Sequence, residues 1–334
     1  MKNLWIAIAV VSAIACGFLG YKIANRKPIN YTAAAGAGRQ GAKEVGDVID
    51  AALRVPENMI IAKEASRFAT GLTELRALAV GPEDRIYAAG DKAVVLLGSD
   101  GKQISKIELG AVPNCLGVAP DGTIYVGLMD HIEVFDAKGA KKAAWEKMST
   151  STWLTSIAIA SDGIYAADFG NKTVVHLSPE GKLLGRLGGV GPAPGTGKYE
   201  VPSPYFDVAI DPQGKPWVAH VGKNRIESYK DDGSLDVTMG KQGNNLQGFS
   251  GCCNPSHITI RKDGSFVTSE KGLVRVKIHK PDGELVGVVA PAKDFEKNIH
   301  GLDLAVDSKD RILVLDPATR SIRVYVLNGA SSNP

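Results

Sequence analysis

Four residues with metal-ligand side chains occupy one position of a repeated phrase. Cys115, Asp207, His257 and Asp303 each stand immediately before a short apolar run. Thiolate, carboxylate and imidazole are the donors that hold zinc and related ions. If the fold gathers them, they make a divalent metal the candidate cofactor, acting as a Lewis acid or lowering the pKa of a bound water. Asp207, His257 and Asp303 are the expected ligands, with Cys115 a fourth. Ala77 and Ser156 hold the same position in the other two copies. The spacing matches no metal motif, and strand starts need polar caps for their backbone groups whether or not an ion binds. A water-filled polar channel is therefore the competing reading.

A second column closes the second apolar run of each copy: Gly90, Leu128, Asp168, His220, Glu270 and Asp316. Asp168 and Asp316 are read as caps of the following turns. His220 and Glu270 depart from that Asp and are the candidates for a surface recognition face. His131, His176 and His279 lie in or beside the third runs and are read as exposed.

Cys252 and Cys253 are adjacent, just ahead of His257. Three chemistries stay open for them: a vicinal disulfide ring, a disulfide from one of them to Cys115, or ligation of a soft metal such as copper. The plain alternative is two buried thiols. Export favours a disulfide. With Cys16 the chain has only four cysteines, too few for a disulfide-built scaffold. It carries no CxxCH for covalent haem, no P-loop, no GxSxG and no dinucleotide fingerprint.

The elements that must position these residues are six copies of one unit, starting at Leu78, Leu116, Ile157, Val208, Ile258 and Leu304. Each reads as an apolar run, a tight polar turn and a second apolar run. Pro120-Asp-Gly122 and Lys262-Asp-Gly264 are two of the turns. Asp-Gly between apolar runs signals a hairpin, because Gly accepts the positive φ required there. Repetition every roughly 40–50 residues marks a propeller or solenoid, and five copies extend to four strands, one propeller blade. The sixth lacks its fourth strand, and a spare strand, Met59–Ala65, precedes the first copy. That strand is expected to close the ring on Ile322–Val326, removing two exposed sheet edges. The fold class is thus all-β, a six-bladed β-propeller over 58–328 with a short tail at 329–334.

The links Gly188-Gly-Val-Gly191 to Pro202 and Gly240-Lys-Gln-Gly243 to Pro255 resemble the inter-blade signature of NHL repeats. So do Tyr165-Ala-Ala-Asp168 and Asp310-Arg-Ile-Leu-Val-Leu-Asp316. The resemblance spans about residues 59–328 and implies an NHL/TolB-like propeller. NHL propellers include binding scaffolds and a copper/zinc lyase that makes peptide amides, and gluconolactonase-type propellers look similar. Fold alone does not choose among them. The two long Gly-rich links are expected to stand over one face as a lid or partner surface.

Leu4–Ala24 is almost wholly apolar and long enough to span a bilayer as one helix. It reads as a transmembrane or signal anchor over 1–24. A lipoprotein signal at Cys16 and a signal cleaved after Ala15 are the other options. Residues 25–57 form a flexible linker with a short helix over 43–53. The basic residues after the run favour a cytoplasmic body, whereas the signal-like segment favours export, the reading adopted. Net charge is only +3, from 39 Lys+Arg and 36 Asp+Glu, which argues against a nucleic-acid partner. The sequence by itself favours a membrane-tethered binding module that offers its loop-rich face to a membrane-associated protein. The alternative is a metal-dependent lyase or lactonase-type hydrolase working at the channel mouth.

Overall fold

The computed structural model describes residues 54–188, 199–230, 234–296, 299 and 301–329. The expected anchor, Cys16, the helix over 43–53 and residues 189–198 of the first long link lie outside them. Among the described residues no helix is long and apolar enough to cross a membrane.

Among the described residues, twenty-four strands form six four-stranded antiparallel sheets. Blade one holds β2 (Leu75–Val80), β3 (Ile86–Gly90), β4 (Ala93–Leu97) and β5 (Gln103–Glu108). Blade two holds β6 (Cys115–Val118), β7 (Ile124–Gly127), β8 (Ile132–Phe135) and β9 (Lys141–Ala144). Blade three holds β10 (Leu154–Ala160), β11 (Gly163–Asp168), β12 (Thr173–Leu177) and β13 (Leu183–Leu187). Blade four holds β14 (Val208–Ile210), β15 (Pro216–His220), β16 (Arg225–Tyr229) and β17 (Leu235–Met239). Blade five holds β18 (His257–Ile260), β19 (Phe266–Glu270), β20 (Arg275–His279) and β21 (Leu285–Ala290). Blade six joins β22 (Leu304–Val306), β23 (Ile312–Asp316) and β24 (Ser321–Leu327) to β1 (Ala62–Ala69) from the other end of the body.

The first strand of every blade touches those of both neighbours, so β2, β6, β10, β14, β18 and β22 form a closed inner ring. Middle strands such as β3 and β4 are buried along their whole length. Each sheet packs on a neighbour through both faces, which is why these strands read as unbroken apolar runs rather than alternating ones. Outermost strands such as β5 face water and alternate or turn polar.

Ring closure follows the expected pairing, with the strand displaced along the chain. β1 begins at Ala62 rather than Met59 and pairs with β24 from Ala62 opposite Leu327 to Ala69 opposite Ser321. The residues expected to start it do something else. Ile60 bridges to Val288 of β21, and the Ile61 N–H donates to the Val288 carbonyl. The chain thus binds the outer edge of blade five before it completes blade six.

Glycine is required in the two links. Gly188 and Gly240 sit at φ +79° and +88°, and a Cβ on either would lie 2.3 Å from an aromatic ring, Tyr199 and Phe249 respectively. β13 and β17 are thus each followed by a left-handed glycine over which the next link lays a ring.

Closure should be measurable in stability. Ile322 is fully buried in β24, so Ile322→Ala should cost about 2–5 kcal/mol in chemical denaturation, with cooperativity retained.

Candidate functional site

The inner ring encloses a cavity of about 310 Å³, lined at one end by Arg76, Cys115, Ser156, Asp207, His257 and Asp303. The alignment column therefore converges as expected, with Arg76 rather than Ala77 lining the cavity from blade one.

Local backbone chemistry explains the acidic members. Asp207 Oδ1 accepts the N–H of Val208 at 2.9 Å, and its Oδ2 accepts the N–H of Ile258 in the next blade at 2.6 Å. Asp303 repeats the device: Oδ1 accepts from Leu304 at 2.8 Å and Oδ2 from Leu78 at 2.7 Å. Each carboxylate clips its own inner strand to the following one. Ser156 Oγ, 3.3 Å from both the N–H and the carbonyl of Val208, links blades three and four.

Burial sets the protonation states. It pushes Asp207 up to about 6, against the N–H donors that favour its ionised form. Asp303 rises to about 8, first through burial and then through the charge on Asp207. Burial, then Asp303 and Asp207, raise the Cys115 thiol, which is inert at neutral pH. Burial alone lowers His257 to about 4, so its imidazole is neutral. Its Nδ1 is enclosed and has no hydrogen-bond partner.

The four expected ligands share the cavity, but among the described residues no three His, Cys, Asp or Glu side chains are placed to hold one ion. The carboxylates of Asp207 and Asp303 are oriented toward strand N–H groups on different blades. The donor set does not fit a metal.

The second column is buried rather than exposed where it carries His220 and Glu270. His220 and Glu270, expected on a recognition face, are 2% and 1% exposed. Glu270 accepts from Arg275 Nε at 2.7 Å and Lys277 Nζ at 3.0 Å. Lys277 also donates to the carbonyls of Leu246 and Gly248, pinning the second long link to blade five, and burial lowers it to about 8. His220 Nε2 accepts the N–H of Glu200, leaving Nδ1 to face Glu227 at 3.0 Å. Burial opposes ionisation of Glu227, but His220, Tyr229 and Arg225 outweigh it and hold the carboxyl down to about 2. Asp168 accepts from the backbone of Trp153 and Asn171, and Asp316 from Ala318 and Thr319. In blades three to six the position thus anchors loops or strands through the acceptor that each supplies. His279 is buried beneath Phe249 rather than exposed.

Sequence reading missed the neighbours of His257. Tyr205 meets its ring edge-on at 6.1 Å. Lys271 Nζ lies 4.6 Å from the Tyr205 centroid and 3.2 Å from Ser203 Oγ. Tyr205 stands two residues before Asp207 and Lys271 one after Glu270, so adjacency to the two columns was the available signal.

Cys252 and Cys253 are thiols, with sulfurs 3.4 Å apart. Cys115 is joined to neither of them, so the expected disulfide is not formed.

No family model matches the chain, and no curated protein matches it. Solved structures share the fold. A streptogramin B lyase is 14% identical, with 77% of this chain and 80% of that one covered, at TM-score 0.55. Virginiamycin B lyase from Staphylococcus aureus is 15% identical, covering 79% and 99% at TM-score 0.55. A gluconolactonase from Xanthomonas campestris is 15% identical, covering 82% and 93% at TM-score 0.57. At such identity the likeness establishes the six-bladed propeller and leaves the NHL resemblance at the level of fold.

Two outcomes test the electrostatics. Glu270→Gln removes the buried carboxylate that Arg275 and Lys277 share and should cost about 3–5 kcal/mol in urea denaturation. Because the folded state holds the Asp303 proton above its ordinary affinity, the stability this group contributes is full below about pH 4 and is lost as pH rises through about 8. Melting curves at about pH 5 and about pH 9 should therefore differ less for Asp303→Asn than for the parent.

Proposed function

We propose that the protein is an enzyme that cleaves a small lactone or related ester at the channel mouth, by elimination or by hydrolysis. One observation carries the reading. The cavity gathers a neutral imidazole, His257, and a carboxylic acid, Asp303, that retains its proton to about pH 8. Bond cleavage of this kind needs a group to take a proton and a group to give one to the departing oxygen. His257 is assigned the first role and Asp303 the second. Asp207, ionised above about pH 6, keeps Asp303 protonated, and Arg76 orients an anionic substrate group. The lyase and gluconolactonase names of the structural neighbours support this class over a pure scaffold.

A second reading, a partner-binding module held at a membrane by residues 1–24 and exported, is favoured by apolar side chains on outer strands. Leu183 and Leu184 of β13 and Leu235 and Val237 of β17 are exposed. This reading expects the chain in the membrane fraction, bound stoichiometrically to a protein.

The enzymatic reading is tested with a panel of aldonolactones and cyclic depsipeptides. Turnover of at least one substrate class is expected, with His257→Gln and Asp303→Asn each lowering kcat/KM by roughly 100-fold or more and Cys115→Ser close to parent. Absence of turnover across the panel, or equal rates in parent and both variants, rejects it.

A further inference from the structure

Cys252 and Cys253 lie outside the proton-transfer groups, and their setting is built. Asn224 Nδ2 donates to the carbonyls of Gly251 and Asn254 at 3.0 and 3.2 Å, fixing the chain on both sides of the pair. Asn254 Nδ2 donates in turn to Ser250 and Lys271 carbonyls at 2.6 and 2.9 Å, while its Oδ1 accepts the Lys271 N–H at 2.8 Å. Both asparagines are buried. Cys253 is buried and Cys252 keeps part of its surface.

The separation of the sulfurs selects among ligands. At 3.4 Å they are in contact but well beyond the about 2.05 Å of a disulfide. Two metal–sulfur bonds of about 2.3 Å in a straight line would need sulfurs about 4.6 Å apart, whereas the same bonds meeting near a right angle span about 3.3 Å. A linear monovalent ion is therefore too wide for the pair, and a tetrahedral ion lacks the further ligands, since no third His, Cys, Asp or Glu of the described residues joins them. A pyramidal trivalent centre matches the bite and needs only two protein donors.

We propose that Cys252 and Cys253 form a chelating site for a thiophilic trivalent metalloid, an organoarsenical or its antimony analogue. The step is a condensation without change of oxidation state. Both S–H bonds and the two arsenic–oxygen bonds of the oxide break, two arsenic–sulfur bonds form, and one water leaves carrying both protons. Cys252 is attacked first because it is accessible, and Cys253 closes the ring at little cost in ordering because its loop is already fixed.

Phenylarsine oxide is the probe, added to the full chain after reduction with a phosphine. One arsenical per chain is expected by intact mass, placed on the peptide containing Cys252 and Cys253. A monothiol should leave it bound and a dithiol should strip it. Cys252→Ser and Cys253→Ser should each weaken binding by about 100-fold or more, the usual gain of a second linked contact. A Cys16→Ser/Cys115→Ser chain should bind like the parent. An adduct mapped to Cys16 or Cys115, retention by either single variant through a monothiol wash, or no adduct on the parent overturns the proposal. Because the readout is mass, it stands apart from the fate of the enzymatic reading.

Discussion

The antiparallel pairing of β1 with β24 is the constraint on which the rest depends. Every sheet buries its two faces against neighbours, and that arrangement holds only in a closed circle. Were blade six to lack its outer strand, β24 would expose a buried apolar edge and the seam beside blade one would open. Ile322 and Val324 of β24 lie in the same apolar cluster as Leu78 and Ile86 of blade one. Arg323 reaches across the closure to Glu64 of β1 and to the Asp294 carbonyl beside blade five.

At the centre the same circle imposes a second demand. Six strand starts arrive side by side, and their N–H groups must be satisfied without a further strand. Asp207 and Asp303 meet that need by bridging to the next blade, and Ser156 does so by hydroxyl. The two acids are therefore architectural and, through their raised proton affinities, chemically poised. The N–H contacts of the two acids hold the blades together, and the burial that accompanies them raises both proton affinities against those same donors.

Periodicity was legible in the sequence because each blade repeats its own hairpin signal, so strand positions and the inner column could be read from Leu78 to Leu304. The convergence of Cys115, Asp207, His257 and Asp303 followed from that register. What could not be read was the direction of each side chain. Asp207 and Asp303 face strand N–H groups on different blades, a choice made by backbone geometry that no spacing records. His220 and Glu270 seemed exposed because loop ends usually are, yet their partners Glu227, Arg275 and Lys277 sit on the adjacent strand, where charged residues in an otherwise apolar run were the overlooked sign of a buried network. The closing strand was misplaced by three residues because Met59–Ile61 is more apolar than the strand that follows and reads as its start, whereas it lies against the edge of β21.

The path of the chain at Ile60 and Ile61 has a mechanical consequence. These residues grip blade five, and the strand that follows belongs to blade six, so tension applied ahead of them does not peel one sheet from its end. It meets the hydrogen bond from Ile61 to Val288 first, and beyond that β1 runs alongside β24 through seven paired positions. A pull directed along those strands strains the pairs together rather than one after another. The edge of the ring where β1 enters thus shares a load over the length of its strand pairing.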